Sequence, residues 1–69
     1  MTQKELSYIE DAIGHETNII KILNDTIQRL SDDQLISFMQ SEMDEHATQK
    51  QTLINFLEGK TNEWSNIDG

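Results

Sequence analysis

Along the first half of the chain, apolar residues recur at alternating steps of three and four: Leu6, Ile9, Ile13, then Ile20, Leu23, Ile27 and Leu30. Glu16 sits at the one position where that series fails. Steps averaging about 3.5 residues keep side chains on one side of an α-helix. The stripe broadens through Ala12, Ile19 and Ile22, with Tyr8 and His15 at its edge. That breadth suits a bundle helix with two neighbours better than the narrow seam of a two-stranded coiled coil. Thr2 and Glu5 form a capping box, in which a hydroxyl and a carboxylate satisfy first-turn amides. A first helix is therefore predicted over about 3–30.

The second half repeats the pattern with a longer interruption. Its stripe reads Leu35, Met39, Glu42, His46, Gln49, Leu53 and Phe56, widened by Ile36, Phe38, Met43, Ile54 and Leu57. Ser31 with Gln34 makes a second capping box, and Asp32 and Asp33 stand where the helix dipole favours negative charge. Gly59, followed by Lys60, reads as a C-terminal stop. This predicts a second helix over about 32–58. A link so short makes the two helices antiparallel neighbours. The fold class expected is all-α, one hairpin over 1–59 with a polar tail over 60–69. In that tail, either Trp64 folds back over the end of the bundle or the segment is disordered; Thr61 could cap one more turn.

Composition narrows the function classes. The chain has 69 residues, 35% of them hydrophobic, enough for one small domain with a marginal core. Two wide apolar stripes in one hairpin leave more apolar surface in water than monomers usually carry. The expected solution is a homodimer, two hairpins forming an antiparallel four-helix bundle, with docking on a helical protein partner as the alternative. Thirteen acidic residues against five basic ones give a net charge of -8, which disfavours nucleic-acid binding and opposes self-association at low salt. There is no cysteine, so thiolate metal sites and disulfides are excluded. No apolar run is long enough for a membrane span or a secretory signal, and a soluble, cytoplasmic protein is expected.

The candidate chemistry lies where the stripes fail. Folding about a turn near Ser31 brings residue 16 level with residues 45–47, so Glu16 faces Glu42, Glu45 and His46. Leu35, Met39, Leu53 and Phe56 on one helix, and Ile9, Ile13, Ile20 and Leu23 on the other, are expected to seal that cluster above and below. Carboxylates taken out of water must be paired, protonated or bound to a cation. A dimer doubles the groups, and converging carboxylates and imidazoles suit iron, manganese or zinc. A hydrogen-bonded polar layer that fixes register and partner number, with no ion, is the other reading of the same residues. No Ser-His-Asp set, Cys-His pair or phosphate-cradling glycine loop is present, so an enzyme is not the favoured reading.

The pattern of Glu16 on one helix and Glu42 with His46 on the next resembles half of a ferritin-like di-metal bundle. It is similar to encapsulated ferritins, whose two-helix chains complete the site by dimerising, and to short rubrerythrin-like and spore-coat F-type proteins. The resemblance covers roughly residues 5–58. It implies Glu16 as the first-helix ligand, Glu42 as the bridging carboxylate and His46 as the terminal imidazole. The family spacing is Glu-x-x-His; here His46 follows Glu42 by four residues and Glu45 occupies the usual histidine position.

Overall fold

The computed structural model of the chain describes the backbone of residues 1–68 and the side chains of residues 1–59. Two helices, α1 (Gln3–Ile27) and α2 (Asp33–Asp68), pack against each other as a hairpin. The molecule is a rod, 55 × 16 × 12 Å. Its long dimension matches the 36 residues of α2 at about 1.5 Å per residue.

The start of α1 follows the sequence. The Thr2 hydroxyl accepts from the Glu5 amide at 3.0 Å, and the Thr2 amide donates to Glu5 Oε1 at 2.9 Å. Its end comes earlier than the predicted residue 30. After Ile27 the chain tightens, with Arg29 N–H donating to the Thr26 carbonyl at 2.9 Å and Leu30 N–H to the Ile27 carbonyl at 3.2 Å. These three-residue closures satisfy carbonyls that the helix end would otherwise leave open. They also draw Leu30 in towards α2, where it is half-buried.

Capping of α2 differs from the expectation by one residue. Asp32, not Ser31, is the N-cap: its Oδ1 accepts from the Leu35 amide at 3.0 Å, and its carbonyl accepts from the Ile36 amide at 3.0 Å. A carboxylate at this position both fills an orphan amide and meets the positive end of the helix dipole.

The predicted stop at Gly59 is corrected as well. The helix runs through Gly59 to Asp68, past the expected stop. Neither Gly14 nor Gly59 adopts a positive φ, the conformation by which a glycine ends a helix. Glycine inside a helix costs only about 1 kcal/mol relative to alanine, too little to break one unaided. The expectation that Trp64 covers the end of the bundle concerns a side chain outside the described residues.

The contact seam in α1 is the predicted one, Leu6 through Leu30 with Glu16 at its centre, all half-buried. In α2 it is turned by part of a step. The half-buried series is Ile36, Met39, Met43, His46, Lys50, Leu53 and Leu57, flanked by Glu42 and Ile54. Leu35, Gln49 and Phe56, expected in the stripe, are exposed. Among the described residues none is fully buried, so the seam between the two helices is not a closed core.

Candidate functional site: a paired Glu16 and His46 beside an open apolar flank

Glu16 lies midway along α1 and His46 midway along the stretch of α2 that packs on it. Their side chains meet: His46 Nδ1 and Glu16 Oε2 are 2.6 Å apart. An ionised carboxylate can only accept, so facing it the ring nitrogen carries the proton and donates. The pair is thirty residues apart in sequence and makes an ion-pair contact between the helices. It fixes the register, with residue 16 level with residue 46. Its solvent access is modest, 17% for the Glu16 side chain and 25% for His46. A charge-assisted bond of this kind contributes on the order of 1.5 kcal/mol, the low end of its range because water still reaches it.

The other candidates do not join the pair. Glu42 is half-buried one turn from His46, and Glu45 is exposed. Among the described residues no group of three or more His, Asp or Glu side chains is close enough to hold a metal ion. A single hairpin thus presents two donor groups together, not a coordination sphere. Of the residues expected to seal the cluster, Ile9, Ile13, Ile20, Leu23, Met39 and Leu53 do flank it, half-buried, whereas Leu35 and Phe56 face solvent.

Beside the pair runs an open groove of about 360 Å³, lined by Glu16, Thr48, Gln49, Thr52, Leu53 and Phe56. It opens onto the side of α2 that carries Gln49 and Phe56. Five large hydrophobic side chains are exposed: Tyr8 (60%), Ile22 (56%), Leu35 (40%), Phe38 (61%) and Phe56 (60%). In a seven-residue frame with the seam at positions a and d, all five fall at c or g. Reversing one helix relative to the other puts the g flanks of both on the same side of the hairpin. The five residues therefore share one face, with Ala12, His15 and Ile19 between them on α1 and Glu42, Glu45 and Gln49 between them on α2.

The threonine hydroxyls are satisfied within their own helices. The hydroxyls of Thr17, Thr26, Thr48 and Thr52 each donate to the carbonyl four residues back in their own helix, at 2.8–3.1 Å. Gln51 Nε2 donates to Asn55 Oδ1 at 3.0 Å.

Comparison with family models, with curated proteins and with solved structures finds no match to this chain. Among the described residues, no helix is long and apolar enough to cross a membrane.

Proposed function

We propose that this chain is a cytoplasmic, non-catalytic association module whose hairpin pairs with a second copy to complete an antiparallel four-helix bundle. One observation carries the reading: the hairpin has no fully buried residue among those described, while five large apolar side chains stand together on one face. A chain of this size is rarely stable with so little buried. Covering the half of each of these side chains that is still wet is worth about 1 kcal/mol apiece, and a two-fold dimer counts every residue twice.

Sedimentation equilibrium tests it. The expected species is twice the 8.0 kDa chain mass at micromolar concentration. A well-folded, fully helical monomer that persists to millimolar concentration refutes self-association and leaves docking on a different helical protein as the use of the face.

A second reading rests on the 2.6 Å contact of Glu16 with His46. One chain brings together two donors; a dimer doubles them, and Glu42 stands one turn away. Such a set, similar to the ferritin-like arrangement, would take Fe(II), Mn(II) or Zn(II) between the chains, with Glu45 at its outer edge. Titrating the three ions into the protein, with binding read by calorimetry, tests this. Glu16→Ala with His46→Ala abolishes binding if the assignment is right, and leaves it unchanged if it is wrong.

A further inference from the structure

The exposed face has an internal symmetry that says how a second copy lies on it. The g positions, which point straight out of this face, are Glu5, Ala12, Ile19 and Thr26 on α1 and Leu35, Glu42, Gln49 and Phe56 on α2. Ala12 with Ile19, and Glu5 with Thr26, are both centred between residues 15 and 16. Leu35 with Phe56, and Glu42 with Gln49, are both centred between residues 45 and 46. These two centres lie at the same level of the rod, because Glu16 is hydrogen-bonded to His46. A single two-fold axis crossing the helices there relates all four pairs.

Resting on the association reading above, we infer that the two copies pack with their turns at opposite ends, α1 against the partner's α1 and α2 against the partner's α2, about an axis beside Glu16 and His46. Ala12 then meets the partner's Ile19, and Leu35 meets the partner's Phe56. The Glu42 carboxylate accepts from the amide of the partner's Gln49. At these pairs apolar faces apolar and the half-buried Glu42 carboxylate gains a donor, while Glu5 lies over the partner's Thr26. An isologous contact of this kind needs a self-complementary patch, which this face is.

The other two-fold arrangement, with both turns at one end, lays α1 over the partner's α2. At the same register Glu42 then stands on the partner's Ile19, and Gln49 on the partner's Ala12. A carboxylate desolvated against an aliphatic side chain loses its water and gains nothing. That mismatch selects the opposed arrangement. The opposed axis also brings the two Glu16–His46 pairs into one layer, and each copy closes the groove beside the other's Glu16.

The chain has no cysteine, so a single spin label can be placed cleanly. Ser31 is exposed in the turn, outside both helices. In the opposed dimer, labels on Ser31→Cys lie about 15 residues either side of the axis, about 45 Å apart at 1.5 Å per residue. With both turns at one end the labels sit on neighbouring helices, within about 20 Å given helix spacings of 8–10 Å. Pulsed electron–electron resonance on the frozen dimer reads the distance. A distribution centred near the longer value supports the opposed packing. One centred near the shorter value overturns it while leaving self-association intact. A labelled protein that shows no intermolecular distance and sediments as a monomer overturns the association reading, and this one with it.

Discussion

Substituting alanine for Gly14 separates a backbone effect from every packing effect, because the added methyl touches nothing. Gly14 lies eleven residues after Gln3 and thirteen before Ile27, well inside α1. A Cβ built on it meets no atom within 4 Å, and its φ is not positive. The methyl therefore brings no clash and buries no surface. What changes is the conformational freedom the unfolded chain loses on folding, worth about 1 kcal/mol per chain in favour of alanine. For a domain of this length that raises the melting temperature by about 4–8 °C. Gly14 is on the polar side of α1, away from the face assigned to the second copy, so the dimer's dissociation constant should not change. Circular-dichroism melts of parent and Gly14→Ala at matched concentrations give the first quantity, since the melting point of an associating protein depends on concentration. Sedimentation gives the second. A variant that melts lower, or that falls apart into monomers, refutes the reasoning. It would mean that another backbone approaches the helix at Gly14 and that the interface lies on that side.

Three further outcomes follow from the contacts described. Asp32→Ala should cost about 1 kcal/mol in a chemical-denaturation series, while Ser31→Ala leaves stability within error; the reverse order would restore Ser31 as the cap. Glu16→Leu alone or His46→Leu alone should destabilise by about 1 kcal/mol, because each leaves a half-buried polar partner unsatisfied, whereas the double leucine variant should match or exceed the parent in the same denaturation assay. Equal stability of all four proteins would show that the 2.6 Å contact does nothing for the fold. With -8 charges per chain, association should tighten as sodium chloride is raised from low to moderate concentration; weakening across the same series, followed by sedimentation, would show that attraction between opposite charges dominates the interface.

The meeting of Glu16 and His46 was legible because it needs only a turn position and the length of a helical step, and both breaks in the hydrophobic pattern lie equally far from that turn. The rotation of α2 was not. Two stripes overlap in that helix, sharing Met39, His46 and Leu53. One continues through Leu35, Gln49 and Phe56, the other through Ile36, Lys50 and Leu57. Polarity does not separate them, since the first carries Glu42 and Gln49 where the second carries Met43 and Lys50. The folded chain takes the second, with Lys50 half-buried, because a lysine can lay its methylene stem along a seam and keep its ammonium in water. Leu35 and Phe56 are what this choice leaves outside. Ser31 and Asp32 are both good cap residues, and only the geometry of the link separates them. Gly59 shows the limit of punctuation: a glycine ends a helix by turning left-handed, and nothing in its identity requires it to do so.

The short link between α1 and α2 also bears on the speed of assembly. Every contact between the helices closes a loop within one chain about a five-residue turn, and the sequence has no proline to impose a slow isomerisation. Zipping up of one hairpin belongs in the microsecond range of helical proteins with local topology. In the proposed dimer, the encounter of two chains is bimolecular and slower at ordinary concentrations. Refolding after dilution from denaturant should then show helix signal within the dead time of mixing and a later phase whose rate grows in proportion to protein concentration.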